Sequence, residues 1–128
     1  MLPRRDNAVL YLSQDLFHAA WLALAPVLPR LGHALHPGTP LFTKQLAPGV
    51  GLAEDPCGDD SFGSARSRLV AGALADARAG EALSWTDFET RFAAAVRVAE
   101  LDIDALWLNP RSKDIYAFPQ HSPSRAAA

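Results

Sequence analysis

Between Pro37 and Gly58 the chain carries four prolines and four glycines. Proline lacks the backbone donor a helix or inner strand needs, and glycine loses the most freedom when either forms. No helix can run through this stretch, so the fold must divide into helical parts on either side of a loop-rich centre. Apolar residues still punctuate that centre. LFTKQL (41–46) and VGLAED (50–55) are its only plausible strands, and together they read as a site-forming pair of loops rather than a linker.

On the N-terminal side, AVLYL (8–12) is apolar with β-branched and aromatic content and reads as a buried strand, with Asp6-Asn7 as the turn before it. Ser13 stands where a helix N-cap belongs and Asp15 suits a first turn. Leu16, Phe17, Ala20, Trp21 and Leu24 recur at helical spacing. Pro26 ends that helix and can start a second piece reaching about Leu35. On the C-terminal side a helix is expected from Asp60 or Ser61, with Gly80 as its stop. A further helix is expected from Thr86 through a capping box, Thr86 to Glu89, with Phe88, Phe92, Ala95, Val96 and Ala99 as its apolar face. The chain should leave helix near Leu101-Asp102. The pattern is α+β: a short mixed or antiparallel sheet packed by three to four helices, in one domain over 1–117, with a disordered tail at 118–128.

Composition narrows the function classes. The chain has 128 residues, and its 12 Lys and Arg against 14 Asp and Glu give a net charge of −2. That balance speaks against nucleic-acid binding, which favours a basic excess. No apolar run has the roughly 18 residues of a membrane span. The start lacks a signal-peptide pattern, and one cysteine, Cys57, cannot form an intrachain disulfide, so a cytoplasmic setting is expected. Alanine occurs 24 times and Arg outnumbers Lys by 10 to 2, a bias that reads as genome composition and leaves Lys44 and Lys113 less easily dismissed as filler.

No phosphate-binding glycine loop, dinucleotide fingerprint or zinc spacing is present. His33 and His36 share a helix end but have no further ligands nearby in sequence, and neither a metal nor a cofactor is expected. More telling are Lys44 and the stretch SFGSARSR (61–68). Arg66 and Arg68 lie in the first turns of a helix, where guanidinium groups and the free N–H groups of a helix N-terminus together suit a phosphate. Spaced two apart, they point about 200° from one another. The plainer alternative is a pair of solvated arginines bonded to Glu54, Asp55, Asp59 or Asp60. Lys44, set beside Phe42-Thr43 and a Pro-Gly turn, suits a base whose ammonium is desolvated, or else a surface lysine on a strand edge. Asn109-Pro110 after Trp107 reads as a rigid turn that either positions Asn109 or Arg111 at a site or is purely structural, with Trp107 in the core.

Four segments, PRRDNAVLYL (3–12), PLFTKQLAPGVGLAEDP (40–56), SFGSARSRLVAGAL (61–74) and LWLNPRSKDIY (106–116), resemble in order the HopA-type effector family. That family takes its name from a plant-pathogen effector and also occurs in class V lanthipeptide and thioamitide biosynthesis. The resemblance implies a role in Ser/Thr dehydration of a ribosomal precursor peptide. A kinase-like phosphotransferase phosphorylates the peptide, and the HopA-like protein eliminates the phosphate. The residue reading is compatible with that chemistry: Lys44 is the candidate base, Arg66, Arg68 and Thr43 are candidate phosphate-binding residues, and Asn109 and Arg111 are possible further site residues. The chain departs from the family at Ala65 and Ser67, where His and Cys are frequent. It also begins at a strand that family domains place after a substantial N-terminal half. It is therefore expected to be the C-terminal portion of such a domain, acting beside a kinase-like partner or companion subunit, or as a homo- or hetero-oligomer. The alternative expectation is a non-catalytic subunit that binds the modifying enzyme or the peptide leader. An effector acting on a host is the weakest of the three readings.

Overall fold

The computed structural model describes residues 8–56, 58–77 and 84–116. Four helices and one hairpin form the α+β fold: α1 (Phe17–Leu24), α2 (Leu28–Leu31), β1 (Lys44–Ala47), β2 (Val50–Leu52), α3 (Phe62–Ala77) and α4 (Trp85–Val98). The sheet is two-stranded and antiparallel, pairing Lys44 with Leu52, Gln45 with Gly51 and Ala47 with Val50. Its turn is Pro48-Gly49, and Gly49 has φ 76°, a conformation open to glycine without strain. A Cβ on Gly51 would come within 2.6 Å of Thr43 Oγ1, so glycine there lets the chain before β1 lie close to β2.

Each helix boundary has a local cause. A 3-10 turn at Gln14–Leu16 leads into α1, and Ser13 precedes it without the expected side-chain cap. Pro26 falls between α1 and α2. The second piece is shorter than its expected reach to Leu35, because Pro29 is tolerated only in a first turn and Gly32 follows at once. Ser61 caps α3 by accepting from the Ser64 N–H at 3.2 Å. The cap of α4 is Ser84, accepting from the Asp87 N–H, rather than Thr86, whose carbonyl is taken by Thr90. Asp87 then stands in the first turn, where a carboxylate suits the helix dipole. At its other end α4 closes with Leu101 N–H on Val96 O and Glu100 N–H on Arg97 O, with Glu100 at φ 56°, which is a Schellman motif with glutamate in glycine's usual place.

Residues 8–12 are not a buried strand. They form no strand, and Val9, Leu10, Tyr11 and Leu12 are all exposed. A strand is secured only by a partner that takes its backbone hydrogen bonds, and none of the described residues supplies one. Burial concentrates in two places. Helices α3 and α4 pack together around Ala73, Ala77 and Val96. Phe17, Leu108 and Tyr116 form a second cluster, flanked by Leu46, Leu52, Ala105 and Trp107. Phe17 and Tyr116 meet edge to face at 4.8 Å. Asp6-Asn7, Cys57, Gly80 and the 118–128 tail lie outside the described residues.

Candidate functional site

The hairpin and the segment 105–116 face each other across Glu54, just beyond β2. Glu54 is 8% exposed. Its backbone N–H donates to Trp107 O at 2.8 Å. One carboxylate oxygen accepts from Tyr116 Oη at 2.8 Å and from Gln14 Nε2, and the other from the Asn109 backbone N–H at 2.7 Å. Burial alone would raise this carboxyl, but donors from Asn109, Ser112, Tyr116 and Gln14 outweigh it and hold Glu54 below its ordinary value. Burial is also the leading reason that the Tyr116 phenol is raised. Gln14 opposes that shift and the charge of Glu54 adds to it.

Lys44 opens β1 on the same side. Its Nζ lies 2.5 Å from Asp114 Oδ2 and 5.6 Å from the centre of the Trp107 ring, within the range of a cation–π contact. The lysine side chain is 22% exposed and that of Asp114 34%. Asp114 is held below its ordinary value: burial pushes it up, and the Lys44 ammonium and the Tyr116 N–H more than compensate. Trp107 is partly buried, and its Nε1 is buried with no acceptor among the described residues. The turn before Lys44 is strained, with Phe42 at φ 67° stacked on Phe92 of α4 at 6.3 Å.

The remaining candidates separate. Arg66 is 5% exposed. It donates through Nε to Leu106 O at 2.7 Å and through Nη2 to Leu108 O at 2.8 Å, and its guanidinium lies 5.1 Å from the Phe62 ring one turn earlier. Burial lowers its pKa, with Glu54 pulling the other way. Arg68 points to solvent and grips Asp60 with both terminal nitrogens, at 2.6 and 2.8 Å. The two arginines therefore do not converge, as their spacing implied. The Thr43 hydroxyl donates to Pro40 O at 2.7 Å. The Asn109 side chain donates to Asp55 O at 2.8 Å, inside the expected turn closed by Ser112 N–H on Asn109 O. Arg111, at φ 64° and exposed, pairs with Glu100. The structure thus brings Lys44 and Asn109 to the Glu54 network and leaves Arg68 and Arg111 on the outside.

A family model described as the HopA1 effector protein family matches residues 1–107. The chain belongs to this family. No curated protein and no solved structure matches it. The match to the HopA1 family takes in Lys44, Glu54, Arg66 and Trp107 and ends before Asp114 and Tyr116. Sequence reasoning passed over Asp114, Tyr116 and Gln14, and it named Glu54 only as an arginine's partner. The one hint for Glu54 was its place between an apolar strand and Asp55-Pro56. Among the described residues, no group of three or more His, Cys, Asp or Glu could hold a metal ion, and no helix is long and apolar enough to cross a membrane.

Proposed function

We propose that this HopA1-family chain eliminates phosphate from phosphorylated Ser or Thr in a ribosomal precursor peptide, beside a kinase-like phosphotransferase or companion subunit. The observation that carries the reading is the seat of Lys44, a half-covered amine fixed between the Asp114 carboxylate and the Trp107 ring. In the step assigned to it, the Lys44 ammonium first passes a proton to solvent, and its neutral Nζ then takes the α-proton of the phosphorylated residue. The electron pair of that bond forms the Cα–Cβ double bond, the Cβ–O bond breaks, and phosphate leaves with the bonding pair. Arg68 and Thr43 are the proposed phosphate contacts. Arg66 is assigned to the same region through the 106–108 backbone it binds, and Asn109 and Arg111 to the flanking turn. Cations near the departing oxygens lower the barrier by stabilising charge as it develops.

A second reading, a non-catalytic subunit that binds the modifying enzyme or the leader peptide, is favoured by a different observation. Val9, Leu10, Tyr11, Leu16, Leu22 and Leu31 are exposed along one short stretch of chain, an apolar density that soluble surfaces seldom leave uncovered. Incubation of the purified protein with a phosphoserine-containing precursor peptide, with and without the kinase-like partner, separates the two. Loss of phosphoric acid by mass, abolished by Lys44→Ala, is expected under the first. No loss in either mixture, or full activity of Lys44→Ala, overturns it.

A further inference from the structure

Both groups that hold the Lys44 ammonium trace back to Glu54. Along one route, Glu54 Oε1 accepts from Tyr116 Oη, the Tyr116 N–H donates to Asp114 Oδ1 at 3.0 Å, and Asp114 Oδ2 meets Lys44 Nζ. Along the other, the Glu54 N–H holds Trp107 O while Oε2 holds the N–H of Asn109, two residues further on. Residues 105–116 are thus a strap pinned at two points, Asn109 and Tyr116, by one carboxylate. The strap presents an acid and an aromatic ring to one lysine. Arg66 grips the same strap from α3 through the carbonyls on either side of Trp107.

We infer that Glu54 is the positioning residue of the Lys44 site, setting the ammonium's place by anchoring the strap that carries Asp114 and Trp107. The inference rests on the proposed role of Lys44 for its consequence in catalysis, and on geometry alone for the placement itself. A network satisfied at every member is rigid, whereas one lacking an acceptor must rearrange. Glu54→Gln keeps the side chain's size but replaces an acceptor oxygen with a donor. The donors that converge on the carboxylate from Tyr116, Gln14 and Asn109 then cannot all be met.

The chain has two lysines, so protein labelled with carbon-13 at the lysine ε-position gives two signals, which Lys113→Arg assigns; exposed Lys113 lies in the strap itself, so both shifts are read against an external standard. In the wild-type protein, the ring current of Trp107 is expected to separate the Lys44 signal from that of Lys113. In Glu54→Gln, well below its melting temperature, most of that separation should be lost. Turnover of the phosphoserine peptide should fall about 100-fold in kcat with KM unchanged, the scale of a misplaced reacting group. A folded Glu54→Gln protein with the Lys44 signal unmoved overturns the inference, because a carboxylate that only stabilises the fold changes the melt and not that signal. Should Glu54→Gln fail to fold, Tyr116→Phe cuts the first route alone, and the same signal decides: a shift supports the inference and its absence overturns it. If the signal moves in Glu54→Gln while Lys44→Ala retains full activity, Glu54 positions Lys44 and the assignment of Lys44 as base falls separately.

Discussion

Residues 8–31 and the strap 105–116 invert what their compositions imply. The first is rich in Leu and Ala, with Val, Tyr and Trp among them, yet most of its large side chains face solvent, and Phe17 is its one buried residue. The second carries Asn, Pro, Arg, Ser, Lys and Asp and still buries Leu106, Leu108 and Tyr116. The difference lies in backbone accounting. The strap has no regular secondary structure, but the carbonyls of 106, 107 and 108 receive Arg66 and the Glu54 N–H, and the N–H of Asn109 receives the Glu54 carboxylate. With those backbone groups satisfied, its apolar side chains can be buried with Trp107 Nε1 as the strap's one unpaired buried side-chain polar atom among the described residues. Residues 8–12 have side chains suited to a core and no such partners among the described residues.

Substitutions within each region put this contrast under test. Phe17→Ala removes a ring that is 5% exposed and packed edge to face on Tyr116, and it should cost about 3–5 kcal/mol in urea unfolding. Leu22→Ala, in the same helix and 75% exposed, should stay within about 0.5 kcal/mol. Equal losses would mean that the N-terminal stretch is covered in solution, and the contrast would fail. On the strap side, Arg66→Met keeps the apolar stem but leaves the Leu106 and Leu108 carbonyls without their donor. An expected loss of about 2–3 kcal/mol follows from two unsatisfied groups. A neutral Arg66→Met would show that side-chain packing alone holds the strap.

These magnitudes bear on what the sequence could disclose. Helices α3 and α4 and the hairpin were legible because their signals are local: a 3.6-residue stripe, a serine cap, a Pro-Gly turn between short apolar runs. AVLYL was misread because strand propensity says only that a segment suits a pleated sheet, not that a neighbouring strand exists. The site was legible in part. Lys44 stood out by rarity and by its family-like string. Asp114 is 70 residues away along the chain, and the Glu54–Tyr116 bond spans 62, and no local pattern encodes such pairings. The Arg66–Arg68 spacing did foretell divergence, because helical geometry is local. That Arg66 would be the buried member depended on where the strap lay.

Acidity and alkalinity should loosen the strap from opposite ends, with effects smaller than either core substitution. Glu54 and Asp114 are held below their ordinary values in the fold, so their stabilisation is complete above the usual carboxylate range and is lost as pH falls through their lowered values. Tyr116 is raised above its ordinary value of about 10, so its contribution is complete below that pH and is lost as pH climbs past it. The urea midpoint should therefore show a plateau with an acid limb and an alkaline limb. Tyr116→Phe should remove the alkaline limb selectively. An alkaline limb that survives this change would place its origin in a group other than Tyr116.

The smallest effect is expected at Arg68, and it isolates what burial adds to a guanidinium. Its pair with Asp60 has good geometry, with two parallel contacts, and Asp60 is held below its ordinary value chiefly by that hydrogen bond. By bond length alone it rivals the grip of Arg66 on the strap. Yet the Arg68 side chain is 68% exposed and that of Asp60 44%, so water and salt replace each partner as readily as the other does. Asp60 also keeps its favourable place before the N-terminus of α3 when Arg68 is gone. Arg68→Gln should leave the unfolding midpoint unchanged at both low and high salt. Because Arg68 is a proposed phosphate contact, its loss should slow phosphate release from the phosphoserine peptide, and unchanged turnover would remove Arg68 from the site. A stability loss comparable to that of Arg66→Met would show that geometry, rather than desolvation, ranks the two arginines, and the strap would lose its claim to be held by buried polar contacts.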